Sequence, residues 1–131
     1  MRVSKDQRKY PRFDMQFAAS IRFPDGDLCK GKTKNISGNG VFFEYDESRK
    51  FENESRCTLT MFVEGKLYSE EITFNCVLKN NRKNGLGLQF ETMSTNDFIN
   101  FIFLLQNEYP DPEHMISQFS VNPGVQLIEE L

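Results

Sequence analysis

The chain has 131 residues, enough for one domain around one core. A hydrophobic fraction of 38% and a charged fraction of 27% are those of a soluble globular protein, and a net charge of -3 argues against a duplex nucleic-acid binder, which would be strongly basic. That charge is uneven: residues 1–34 carry nine Lys/Arg against four Asp/Glu, a net +5, while residues 35–131 carry seven against fifteen, a net -8. A basic segment on an acidic body points to a local anionic ligand.

Residues 1–14 form a polar, basic stretch without helical or strand periodicity, and Pro11 pushes Tyr10 towards extended geometry. The first twelve residues, MRVSKDQRKYPR, contain no apolar run of the signal-peptide kind, so a cytoplasmic protein is expected. From Gln16 the pattern alternates, with Phe17, Ala19, Ile21 and Phe23 on one face of a half-buried strand. Pro24-Asp25-Gly26-Asp27 reads as a turn, and residues 28–37 as a second strand closed by Ser37-Gly38-Asn39-Gly40. The Asn39-Gly40 pair suits a tight turn with positive φ. Val41 to Tyr45 form a third strand, followed by a charged loop over residues 46–54.

Cys57 to Val63 and Leu67 to Lys79 read as a hairpin around Glu64-Gly65-Lys66, with Ile72, Phe74, Cys76 and Leu78 in strict alternation. Asn80 to Gly85 is a further turn, and Leu86, Leu88 and Phe90 mark a sixth strand. Six closely spaced strands with short turns predict a mainly β fold, a six-stranded antiparallel β-barrel whose interior would take most of the thirteen Phe. At Ser94 the period changes. Ser94 and Asp97 resemble a capping box, and Phe98, Phe101, Ile102 and Leu105 recur at helical spacing, so a C-terminal α-helix over about residues 95–108 should pack on the barrel. Ile99, Phe103 and Leu104 fall on its other faces, where they would support a homodimer or the docking of a partner, or else be covered by the C-terminal tail folding back through Met115, Ile116 and Phe119. Pro110 and Pro112 end the helix, leaving residues 109–131 as a C-terminal extension. The longest apolar run, Phe101 to Leu105, is too short to span a bilayer, so no direct membrane insertion is expected.

Three cysteines far apart in sequence and a lone His114 offer neither metal-ligand spacing nor a nucleophile–base pair, so neither a metal nor a catalytic residue is expected. Cys76 reads as a reduced core residue. Asp14, Asp25 and Asp27 lie near turns, where carboxylates serve as caps or solvent contacts. The abundant Phe would suit stacking on single-stranded bases, but they fall on alternating core positions of an acidic body.

Two short motifs carry the chemistry. Arg8-Lys9-Tyr10-Pro11-Arg12 sets two arginines four residues apart, roughly 13 Å in an extended chain at about 3.3 Å per residue. A guanidinium is a planar fork that pairs with phosphate or with guanine O6 and N7, and its face stacks on bases. Two arginines at that spacing are common on solvated surfaces, so this motif is weak alone. The second motif is Asn35-Ile36-Ser37-Gly38-Asn39-Gly40. Residues two apart on a strand share a side, so Asn35 and Ser37 would point together while Ile36 faces the core. Gly40 can adopt backbone angles closed to other residues and admits close approach.

In this order the motifs resemble those of the PilZ domain family, cyclic di-GMP receptors whose pattern is Arg-x-x-x-Arg followed downstream by Asp/Asn-x-Ser-x-x-Gly. Arg8 and Arg12 match the first part, and Asn35, Ser37 and Gly40 the second. Gly85-Leu86-Gly87-Leu88-Gln89-Phe90 also looks like the family's late barrel strand. The resemblance covers about residues 6–108 and implies a PilZ-like split barrel over residues 15–108, preceded by a flexible basic ligand-binding arm over residues 1–14. It implies that the arginines contact guanine edges and phosphates, that Asn35 and Ser37 bond the remaining guanine edge, and that Gly40 leaves room for the ligand. Gln7, Lys9 and Gly38 are further candidate contacts. The family favours an intercalated ligand dimer when a basic residue precedes the first arginine; Gln7 stands there, which implies one ligand per chain. The implied protein is a bacterial second-messenger receptor, not an enzyme, with cyclic di-GMP as ligand and no cofactor. It would signal by ordering its arm and contacting an unknown downstream protein. The alternative is a PilZ-like protein–protein adaptor that binds no nucleotide.

Overall fold

A computed structural model describes residues 13–37, 39–45, 50–64, 69–108, 113 and 125–129. Its elements in chain order are β1 (Phe13–Asp14), β2 (Ala18–Arg22), β3 (Leu28–Ser37), β4 (Gly40–Glu44), β5 (Arg56–Glu64), β6 (Ser69–Arg82), β7 (Gly85–Ser94), α1 (Thr95–Glu108) and β8 (Gln126–Ile128). Strands β2, β5, β6, β7, β4 and β3 pair in that order, all antiparallel, and β3 pairs back with β2 to close a six-stranded barrel.

Alternation explains the closure. Ala19 and Ile21, Leu59 and Met61, Ile72, Phe74 and Leu78, and Leu86 and Leu88 all point into one core, while their neighbours along each strand face outward. Phe74 stacks on Phe90 with ring centroids 4.4 Å apart and meets Phe101 of α1 edge-on at 5.5 Å, so the helix is seated on the barrel by aromatic contact. Ser94 caps that helix: its Oγ accepts the Asp97 N–H at 3.0 Å. Buried Phe101 is joined by Leu104, which is 1% exposed, with Phe98 and Ile102 packed alongside. The expectation that Leu104 lies on an outer face is therefore corrected: the buried stripe runs through positions 98, 101 and 104 at a spacing of three. Ile99 and Phe103 do face outward, 59% and 53% exposed. The side chain of Leu105 lies outside what is described. Among the described residues, no helix is long and apolar enough to cross a membrane.

Three features depart from the sequence expectation. Asp14 and Phe13 pair with Asn35 and Ile36, so the polar N-terminal segment ends in a two-residue strand. Strand β7 runs on to Ser94, past Phe90 where the alternation stops, because Glu91 is skipped in the pairing with β6 between Phe90–Cys76 and Thr92–Asn75. A three-residue strand near the C-terminus, β8, pairs parallel to β7 at Thr92–Ser94. Cys57 and Cys76, 19 positions apart, become register partners across β5 and β6. Both are buried free thiols; burial pushes the Cys57 pKa up to about 11, and burial together with the neighbouring Cys57 raises that of Cys76. Thiols held protonated in this way are poor nucleophiles at neutral pH.

The route by which the chain enters the barrel is fixed by Thr33. Its buried Oγ1 donates to the Met15 carbonyl at 2.8 Å and accepts the Phe17 N–H at 3.0 Å, and the Met15 N–H donates to the Lys34 carbonyl at 3.0 Å. Thr33→Val keeps the shape but leaves two backbone groups without a partner, so it should cost about 2 kcal/mol, within the range of about 1–3 kcal/mol for such a group. Urea unfolding should show a lower midpoint at unchanged slope. A change below about 0.5 kcal/mol, the scatter of neutral surface substitutions, would mean that the clip is dispensable.

Candidate functional site

The outer face of β3, β4, β7 and β6 carries an open groove of about 730 Å³, within the range of about 300–1,000 Å³ usual for small-molecule sites. Asn35, Ser37 and Gly40 all line it. The strand pattern explains why: Ile36 is fully buried inside the barrel, so its neighbours Asn35 and Ser37 are left on the outside. Cross-strand register then extends the floor. Asn35 pairs with Phe42, Phe42 with Gly87, and Gly87 with Asn80, a lateral row across four strands. At about 4.8 Å per strand the row spans about 14 Å.

Ser37 is 6% exposed and its hydroxyl is engaged locally: Oγ donates to Asn39 Oδ1 at 2.7 Å and accepts the Asn39 N–H at 3.4 Å. The Asn39 carbonyl in turn accepts the Phe90 N–H at 2.8 Å, which ties the β3–β4 turn to β7. Gly40 does not have a positive φ, and it pairs with Ser37 as the first residue of β4. The left-handed conformation expected of the Asn39-Gly40 pair is therefore corrected at Gly40, which is an ordinary strand residue. The need for glycine at position 40 has another cause. A Cβ there would run into the Leu88 carbonyl oxygen of β7.

The electrostatics of the groove run against the acidic body. Lys34, Lys79 and Arg82 line it, and no carboxylate does among the described lining residues. Lys79 is held by Glu54 at 2.9 Å. Lys34 lies 3.8 Å from Glu44, a carboxylate it shares with Lys32, so two ammonium groups face one negative charge.

Of the remaining sequence candidates, Gln7, Arg8, Lys9, Arg12 and Gly38 lie outside the described residues. The chain enters the described structure at Phe13, paired with Ile36, the residue between Asn35 and Ser37. Sequence reasoning missed the β6–β7 wall, namely Lys79, Asn80, Arg82 and Gln89, together with Phe42 on the floor. The sequence predicts a turn at Asn80 and Arg82, whereas both belong to the end of β6. The one available signal was Gly87 amid apolar alternation, which marks a close approach.

A family model described as PilZ domain matches residues 6–105. No curated protein matches the chain in sequence. Among solved structures, the chain is similar to the Bacillus subtilis inhibitor of motility, with a TM-score of 0.55 and 15% identity over 70% of this chain and 46% of that one. It is also similar to the PilZ domain of CeSA from a cellulose-synthesizing bacterium, with a TM-score of 0.51 and 15% identity over 60% of this chain and 79% of that one. The chain thus spans under half the length of the first. At these identities the likeness is one of fold.

Proposed function

The chain belongs to the PilZ domain family, receptor and adaptor domains rather than enzymes, and on that premise we propose that it is a receptor for cyclic di-GMP. The observation that carries this reading is the groove itself. Asn35, Ser37 and Gly40 line a cleft with three cations and no described carboxylate, on a protein whose net charge is negative. A ligand with two phosphates would gain from that field, and one with two guanines would gain from amide and hydroxyl groups at the guanine edges.

In this reading the arm supplies Arg8 and Arg12, with Gln7, Lys9 and Gly38 as further contacts. Arg12 directly precedes Phe13 in sequence, and Phe13 pairs with Ile36 within the motif. Ligand binding orders the arm over the groove, an order-from-disorder switch of the kind used by other receptors. Ile99 and Phe103 on α1 then offer an apolar surface for a downstream protein or a second copy.

Calorimetry with cyclic di-GMP, cyclic di-AMP and GTP tests the proposal. The expected result is selective binding of cyclic di-GMP at one ligand per chain, because Gln7 removes a cation from the position preceding Arg8. Absence of heat and of any thermal shift with cyclic di-GMP would instead favour an adaptor that binds no nucleotide. A plateau at two ligands per chain would overturn the stoichiometry while leaving the ligand class intact.

A further inference from the structure

The sequence motif accounts for only the β3–β4 side of the groove; the opposite wall is built by β6 and β7. There Arg82 sits at the end of β6, opposite Gly85 of β7. Its Nε donates to the Asn80 side-chain oxygen at 3.2 Å, two residues away on the same face of the strand. Asn80 lies low over Gly87, where an added Cβ would come within 2.6 Å of that same oxygen. The fork is therefore held by a neutral amide through one of its five N–H groups, and the four on the two Nη atoms remain as donors.

Arg82 differs in this from the other groove cations. Lys79 and Lys34 each have a carboxylate within 4 Å, whereas among the described residues no ion pair engages Arg82. An exposed guanidinium oriented by a neutral partner, on the wall of a cleft without described acids, is set up to meet an anion or a flat acceptor edge.

We propose that Arg82 is a further ligand-binding residue, contacting the half of the cyclic dinucleotide that lies away from the motif. This rests on the cyclic di-GMP reading. The ligand is two-fold symmetric, with two guanines and two phosphates, while the motif and the entering chain lie together on the β1–β3–β4 side. A ligand gripped there extends over Phe42 and Gly87 towards β6, along the row of about 14 Å that ends at Asn80. Arg82 is the side chain at that end with a planar pair of donors for a phosphate or for guanine O6 and N7.

Titration of the full chain with cyclic di-GMP decides it. Arg82→Ala should weaken binding tenfold to a hundredfold at an unchanged melting temperature, because the side chain is exposed. Arg82→Lys keeps the charge but loses the fork, and should also bind at least several-fold more weakly than wild type. Arg56→Ala, which breaks an exposed ion pair with Glu91 outside the groove, should bind as wild type does. Binding by Arg82→Ala within twofold of wild type overturns the proposal. If Arg82→Ala melts early, Arg82→Lys decides: wild-type affinity in that variant counts against the contact, and weakened affinity supports it. Failure of the wild-type chain to bind cyclic di-GMP overturns both the proposal and the reading beneath it.

Discussion

Replacing Arg8 or Arg12 with alanine should each weaken cyclic di-GMP binding by about tenfold to more than a hundredfold. One well-placed arginine fork on a guanine edge is worth about 1–3 kcal/mol, and each 1.4 kcal/mol is a factor of about ten. Both precede Phe13 in sequence; Phe13 pairs with Ile36, between Asn35 and Ser37, and Thr33 clips the chain just beyond it through Met15 and Phe17. Charged side chains of a polar, basic arm add little to stability, so either substitution should change unfolding free energy by less than about 0.5 kcal/mol. Calorimetry and a urea melt on the same preparations separate the two quantities. Wild-type affinity in both variants would remove the basis for assigning this chain as a receptor.

The same experiment has a graded outcome in salt. Contacts to phosphates weaken with ionic strength as their charges are screened, while guanine-edge hydrogen bonds in a partly covered groove weaken less. If Arg8→Ala and Arg12→Ala differ in residual salt dependence, the variant with the flatter response has lost the phosphate contact.

Most of the barrel was legible because each wall strand is half-buried. Ile72, Phe74, Cys76 and Leu78 alternate, and the structure buries all four. What was illegible depended on register or on distant pairing. Strand β7 could be read only as far as Phe90, since a register shift against β6 at Glu91 breaks its period before Met93. Strand β8 has three exposed residues and no alternation, and its place is set by a parallel pairing to a strand more than 30 residues earlier. Asn81 looked like part of a turn, yet its side chain accepts the Phe51 N–H at 3.0 Å and donates to the Phe51 carbonyl at 2.8 Å, replacing a strand partner.

The site divides in the same way. Asn35, Ser37 and Gly40 are contiguous in sequence, so one motif exposes them. Phe42, Asn80, Arg82 and Gln89 come together only when β4, β7 and β6 are placed in register, a relation that local spacing does not encode. The half of the groove outside the motif is thus a product of topology, and its residues have to be found in the folded chain.

Gly40→Ala should be the most damaging single-methyl change in the groove, and its damage should fall on the fold. Gly40 pairs with Ser37 on one side and with Gln89 on the other, at the point where β4 joins β3 to β7 and closes the barrel. Its φ is not positive, so alanine meets no conformational barrier there; what it meets is the Leu88 carbonyl oxygen, a backbone atom that cannot rotate away. Relief requires β4 and β7 to separate, which strains the five residue pairs between them. Overpacking of this kind costs about 1–3 kcal/mol, and a rigid backbone obstacle puts this site near about 3 kcal/mol. For a chain of this size that corresponds to a fall in melting temperature on the order of 10 °C. If glycine is needed instead only to leave room for the ligand, the variant will melt with wild type and lose affinity alone. A ligand-free melt therefore separates the two roles: a large fall without cyclic di-GMP assigns Gly40 to barrel closure, and an unchanged melt overturns that assignment.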